Sequence, residues 1–183
     1  MSLIIGVLKE KDDKRVSITP DNIKRSKLKD AQWWIEKGAG EESGFTDPLY
    51  VSPTQIKSRL EILQQADIIV SVFPPPESEF GAIRKDALLI SQFRPYQDET
   101  VQAKLATQSF RAISMDMIPR TTLAQAMDVL SSMASIAGYK AVILAAQQLP
   151  RYFPMMITSA GSIRPAKVLV IGAGVAGLQA IAT

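Results

Sequence analysis

The 183-residue sequence predicts an α/β fold. Its parts are a doubly wound N-terminal domain on a parallel sheet, a long interdomain helix, and the opening β-turn-α of a second, truncated domain. Three observations carry this. Short apolar runs alternate with helix-spaced segments over the first 120 residues, the rhythm of parallel strands covered by helices on both faces. A proline-free, apolar stretch follows from Leu123 to Gln148. A last apolar run, Lys167–Ile171, then meets a glycine-rich turn and a helix-prone segment.

In chain order, Leu3–Leu8 reads as a short buried strand. Thr19-Pro20-Asp21 supplies a cap and a proline at a helix start, and Asp21–Lys29 follows as a polar helix. Gln32–Ile35 is a second strand, closed by Gly38-Ala39-Gly40. Ile56, Leu60 and Leu63 have helical spacing and predict a helix over Pro53–Gln65. Asp67–Phe73 is a third strand. Pro74-Pro75-Pro76 ends it, because three prolines can neither extend a ladder nor enter a helix interior. The strand Ala87–Phe93, the helix Asp98–Gln108 and the strand Arg111–Met117 complete a first domain over residues 1–120. Residues 121–150 hold the long helix. It is apolar nearly all round, so it is expected to be buried on several sides, between domains or in a subunit interface. Residues 151–165, with Pro154, Gly161 and Pro165, read as a linker. In it Met155-Met156 are expected to pack at the domain junction. Residues 166–183 open the second domain.

Composition narrows the function. The chain is 46% hydrophobic and 21% charged, and its 21 basic and 18 acidic residues leave a net charge of +3. That balance, with no basic stretch interleaved with aromatics, argues against nucleic acid. The absence of cysteine excludes disulfides and thiol chemistry, and the absence of histidine removes the commonest general base and transition-metal ligand. No metal is expected. Met1–Val7 is apolar but lacks a basic lead and reaches Lys9-Glu10 too soon for a signal peptide. The most membrane-like run, Val129–Ala146, carries Ser131, Ser132, Ser135, Gly138, Tyr139 and Lys140 and reads as a buried helix rather than a span. The expectation is a soluble, cytoplasmic protein able to dock on a membrane partner.

Two motifs carry chemistry. In Gly172-Ala-Gly174-Val175-Ala-Gly177, the first glycine permits a tight strand-to-helix turn, and the second lets the backbone approach a pyrophosphate. The third lets helix and strand pack closely. Free N–H groups and the dipole at the helix start favour the diphosphate. The alternative is a tight βα turn with no ligand. The second motif runs from Arg120 to Ser132. Gln125, Asp128 and Ser131–Ser132 lie three to four residues apart and are expected on one face of the long helix's first turns. Polar groups in an apolar helix should line a cleft, since they are costly to bury unpaired. Gln125 could pair with a carboxamide such as that of nicotinamide, and Arg120 could meet a phosphate. Capping with an Arg120–Asp128 salt bridge explains the same residues equally well. Two glycine or arginine segments read as structural. Arg15, in Arg15-Val-Ser-Ile-Thr-Pro20, sits in a solvated loop, and Gly38–Gly44 is a surface turn.

Together these stretches resemble the NAD(H)-binding first domain of proton-translocating nicotinamide nucleotide transhydrogenase, whose fold the alanine dehydrogenases share. The resemblance rests on RVSITP at Arg15–Pro20, EKGAGEESGFTD at Glu36–Asp47, PRTTLAQAMDVLSSMASIAGYKAV at Pro119–Val142 and TSAGSIRPAKVLVIGAGVAGLQAIAT at Thr158–Thr183. It implies that Arg120, Gln125 and Asp128, with Ser131 a turn further on, contact the nicotinamide end of NAD(H). It implies that Gly172, Gly174, Val175 and Gly177 hold the pyrophosphate. It further implies a homodimer, a separate NADP(H)-binding component and a membrane-spanning component that couples hydride transfer to proton movement. Peripheral association with the membrane would follow. Leu123 departs from the family, many members of which carry a second arginine there. Alanine dehydrogenases use a histidine and a lysine near their substrate. This chain has no histidine, and Val70-Ser71-Val72-Phe73-Pro74 lacks the lysine.

The transhydrogenase reading therefore leads. An oxidoreductase of the alanine or saccharopine kind, with Arg15 on a substrate carboxylate, is the alternative, and a non-catalytic dimerising module is a third. Because the second domain stops within its first helix, the 183 residues alone are expected to bind NADH very weakly.

Overall fold

The computed structural model describes residues 2–28 and 30–183. They form two compact units, Met1–Pro119 and Arg120–Thr183. The first is a six-stranded parallel sheet built from β1 (Leu3–Val7), β2 (Ala31–Glu36), β3 (Thr54–Lys57), β4 (Ile68–Val70), β5 (Leu88–Ser91) and β6 (Arg111–Ser114). The strand order is β3-β2-β1-β4-β5-β6, so the direction of winding reverses between β1 and β4. In register, Ile5 of β1 lies between Trp33 of β2 and Ile68 of β4.

Helices cover both faces, as a doubly wound sheet requires. On one face α2 (Arg59–Gln65) and α3 (Thr100–Ala106) close a core of Leu8, Trp34, Ile62, Ile69, Leu89 and Phe110. On the other, α1 (Pro20–Arg25) sets Ile23 against Ile5, Val7, Ile35 and Tyr50. Gly6 is what lets α2 approach: a Cβ there would collide with Ile62 Cγ2 and come within 3.1 Å of Ala66 Cβ.

Several expectations need correction. The helix predicted over Pro53–Gln65 is two elements. Thr54–Lys57 pairs with β2 as a sixth strand, and a capping box between Ser58 and Glu61 starts the helix at Arg59. Ile56 and Leu60, which suggested a helical stripe, are exposed at 38% and 56%, while Ile62 and Leu63 are buried. The helix Asp21–Lys29 ends at Arg25, and Lys29 lies outside the described residues. Its start is as expected, with Thr19 accepting from Asn22 N–H. The Gly38–Gly44 segment is not a surface turn throughout. Gly38, Ala39 and Gly40 are buried, Gly38 N–H donates to Asp47 Oδ1 at 2.9 Å, and a Cβ on Gly40 would press on Phe45 and the Tyr50 hydroxyl.

The second unit holds α4 (Val129–Gln148), a hairpin of β7 (Met156–Thr158) and β8 (Gly161–Ile163), and α5 (Val175–Ala182). The expected linker is thus an ordered hairpin, and within this chain Met155 and Met156 are exposed at 61% and 37%. Within this chain the long helix is largely exposed, so burial on several sides would have to come from another domain or subunit. Among its residues only Gly138 is buried, whereas Ile136, Tyr139, Ile143 and Leu144 are each more than two-fifths exposed. By length and mean hydropathy of 1.5, α4 could cross a membrane. Its packing against α5 is that of a helix in a folded unit. Lys167–Ile171 forms no strand, and Leu169 and Ile171 are 84% and 90% exposed. A parallel strand exists only through its neighbours' hydrogen bonds, and among the described residues none pairs with this segment.

Candidate functional site

The polar residues before α4 do not sit on one helix face. Ala124 N–H closes a turn on Thr121, Gln125–Met127 is a single 3-10 turn, and Asp128 is the cap of α4 rather than part of it. The Asp128 carboxylate accepts from Ser131 N–H at 2.9 Å and from the Ser131 hydroxyl at 2.6 Å. These bonds, led by the hydroxyl, lower the Asp128 pKa, and the charge of Arg120 adds to the effect. The carboxylate is therefore ionised and fixed in direction. Arg120 and Gln125 are exposed, and Arg120 acts on Asp128 through space without an ion pair among the described residues. Asp128 and Ser131 are thus joined directly, while Gln125 projects from the preceding turn. The shared-face expectation is corrected because the helix begins at Val129, six residues later than the expected start at Leu123.

At the other end of the unit, Gly172 has φ +107, a value that glycine adopts at no cost. Gly174 caps α5 in extended conformation, and its carbonyl accepts from Leu178 N–H at 2.9 Å. A Cβ on Gly177 would collide with the Gly172 carbonyl and lie 3.5 Å from Val170 Cγ1, so the turn closes tightly on its own helix. Nothing lies within 4 Å of a Cβ at Gly174. The first-turn N–H groups of α5, starting at Val175, have no intrahelical acceptor. A helix start of this kind attracts an anion such as a diphosphate. Gln125, with an exposed carboxamide, and Asp128, with an oriented carboxylate, offer the donor and acceptor set that a nicotinamide carboxamide needs.

The carboxyl ends of β1 and β4 form a second concave region, which sequence reasoning missed. A cleft of about 340 Å³ lies between the segments that follow these strands, at the point where the winding reverses. Glu10 is its buried charge. At 8% exposure, its carboxylate accepts from Val72 N–H at 2.6 Å and Phe73 N–H at 3.1 Å. Burial raises its pKa more than these two bonds lower it. Arg15 is no solvated loop residue. It forks onto Asp13 with contacts of 2.9 and 2.8 Å and lies over the Phe73 ring at 5.5 Å, with Arg94 at 4.4 Å from the same ring. The pairing with Arg15 lowers the Asp13 pKa. Arg59 is likewise held by Glu36 and Glu79. The guanidinium forks of Arg15 and Arg59 are thus already filled by internal carboxylates. Lys9-Glu10 directly after a strand was the available signal. Its meaning depended on the strand order, which local sequence does not carry.

Comparison with known proteins identifies the family. Residues 6–137 match the family description "Alanine dehydrogenase/PNT, N-terminal domain", and residues 141–183 match its C-terminal domain. The chain is 42% identical over 171 residues to the NAD(P) transhydrogenase subunit alpha of Cereibacter sphaeroides, covering 92% of this chain and 33% of that protein. A transhydrogenase structure from Sinorhizobium meliloti superposes with a TM-score of 0.90 at 38% identity, over 98% of this chain and 55% of that one. An L-alanine dehydrogenase structure superposes with a TM-score of 0.81 at 25% identity, over 98% of this chain and 51% of that one. The chain spans between a third and a half of the curated transhydrogenase subunits it matches.

Proposed function

Because this chain belongs to the alanine dehydrogenase/PNT family, we propose that it is the NAD(H)-binding part of a nicotinamide nucleotide transhydrogenase. The observation that carries the choice within the family is the 42% identity to a transhydrogenase subunit against 26% to an alanine dehydrogenase. The bound nicotinamide supplies a hydride to an NADP⁺ held by a separate component, and a membrane-spanning component couples that transfer to proton movement. The chain's own residues bind and orient. Gly172, Gly174, Val175 and Gly177 present the α5 N-terminus to the pyrophosphate. Asp128, braced by Ser131, and Gln125 hold the carboxamide, and Arg120 balances the charge of Asp128.

The chain offers no histidine, has Phe73 after β4, and keeps Arg15 closed on Asp13. These features support a site without acid–base help and disfavour amino-acid oxidation. In a protein carrying this chain, pyruvate, ammonia and NADH should yield no alanine, whereas NADH should reduce an NADP⁺ analogue once the NADP(H)-binding component is added. Robust alanine formation overturns the reading. The 183 residues alone supply no acidic residue between Gly177 and Thr183 for the ribose hydroxyls. Their affinity for NADH should be no better than about 1 mM, and a micromolar Kd by calorimetry would refute this.

The proposal includes a homodimer through α4 and peripheral association with the membrane through the partner components. Ile136, Tyr139 and Ile143 form an exposed stripe at helical spacing, on a different face from Ser135 and Gly138. Sedimentation equilibrium should give a dimer at micromolar concentration, and Ile136→Asp with Ile143→Asp should give a monomer that keeps its far-UV spectrum. A monomeric parent chain sinks the dimer.

A further inference from the structure

We infer that Gly138, with Ser135, is a positioning residue that seats the glycine turn on the long helix. This rests on the nucleotide reading for its functional consequence and on packing alone for its geometry. Gly138 is the only buried residue described in α4. A Cβ there would overlap the Ala176 carbonyl oxygen, and would lie 2.9 Å from its carbonyl carbon and 3.0 Å from Ala176 Cα. All three obstructions are backbone, so no rotamer change can relieve them. Three residues earlier on the same face, the Ser135 hydroxyl donates to Gln179 Oε1 at 3.1 Å. The first turn of α5 therefore rests on α4 at Ala176, and its second turn is tied to α4 at Gln179.

The placement links the two halves of the candidate site. Asp128 caps α4, and Gly138 lies ten residues further along, about 15 Å at the α-helical rise. Ala176 directly follows Val175, the first residue of α5, whose N–H the nucleotide reading assigns to the diphosphate. Hence α4 acts as a rigid spacer, with the nicotinamide-facing carboxylate at one end and the pyrophosphate-facing helix seated near its middle. A side chain at position 138 must push the α5 N-terminus outward by about 1 Å to restore ordinary contact. The distance a dinucleotide spans then changes, while each end stays intact.

The test uses Gly138→Ala in the 183-residue chain. Alanine at an ordinary helical glycine raises stability, because it limits the unfolded chain and suits the helix. Here the melting temperature should fall, and the α5 amides should exchange with solvent at least about tenfold faster, with α1 and α2 unchanged. Ala145→Gly, which weakens α4 away from α5, should leave α5 protection unaltered. In ¹⁵N-labelled chain, millimolar ADP-ribose should shift the Val175 amide. Gly138→Ala should leave that affinity within about twofold and weaken NADH, which needs both ends, about tenfold further. Ser135→Ala should move the same way by less. A raised melting temperature with unchanged α5 exchange overturns the inference, and so does equal loss of both ligands. If ADP-ribose leaves Val175 of the parent chain unmoved, the nucleotide reading fails, and the exchange measurement still decides Gly138.

Discussion

Replacing Ile62 with alanine should remove about 4 kcal/mol of folding stability, within the range for large-to-small changes at fully buried sites. Ile62 is 0% exposed and stands at the centre of the core between α2 and the sheet. Its Cγ2 rests where a Cβ on Gly6 would project, so the two positions share one volume. Gly6→Ala alone should also destabilise, by about 2 kcal/mol, through overpacking. The double variant Gly6→Ala with Ile62→Ala should recover about 2 kcal/mol relative to the sum of the single changes, since each fills what the other vacates or clears. Urea unfolding of the four proteins measures this. Strict additivity would show that α2 does not sit on Gly6 as described.

Glu10→Ala should cost about 3 kcal/mol, because it strands two N–H groups, those of Val72 and Phe73, where water has little access. Glu10→Gln should cost less, since one amide oxygen still accepts. The pair also has a distinct pH signature. Burial holds the folded-state pKa of Glu10 above its ordinary value of 4.5. The folded state therefore binds this proton more tightly than the unfolded chain does. The corresponding stability is fully present below pH 4.5 and is lost as pH rises through the folded pKa. Asp13 and Asp67 behave oppositely. Their pKa values lie below 3.8, through Arg15 and through the Ile4 N–H respectively, and their contribution is lost as pH falls through those values. Stability should thus rise on leaving strong acid, then decline as Glu10 ionises. Glu10→Gln should abolish the decline and keep the rise. Identical slopes above pH 4.5 in both proteins would rule out Glu10 as the source.

The candidate site was partly legible in the sequence. Gly172 and Gly177 were legible as structural glycines, since a φ of +107 at the first and a missing Cβ at the second write themselves in glycine, whereas nothing in the fold of this chain demands glycine at Gly174. Asp128 and Ser131 were open to two readings, a helical stripe or a cap, and the structure makes them a cap without the Arg120 ion pair among the described residues. Spacing cannot distinguish the first turn of a helix from the turn before it when both carry polar residues. Pro53–Gln65 failed for a related reason. Ile56 and Leu60 have a helical interval by coincidence, and the Ser58–Glu61 capping box marked the true start. The strand expected at Lys167–Ile171 has strand composition without a strand's partner.

What the sequence determined by itself is everything local. It set the alternation of strands and helices, the glycine turn, the capping of α1 by Thr19, and the absence of thiol and imidazole chemistry. These depend on residues within a few positions of one another, or on residues that are simply missing. Tertiary structure decided what lies across the sheet. The strand order brings Glu10 of one crossover to Val72 and Phe73 of another, 62 and 63 residues away, and sets Arg15 over the Phe73 ring. It also made Gly138 of α4, which the sequence marks only as a break in an apolar run, the seat of α5. A buried carboxylate and a missing Cβ acquire meaning only from the backbone that approaches them, and that approach is a property of the whole fold.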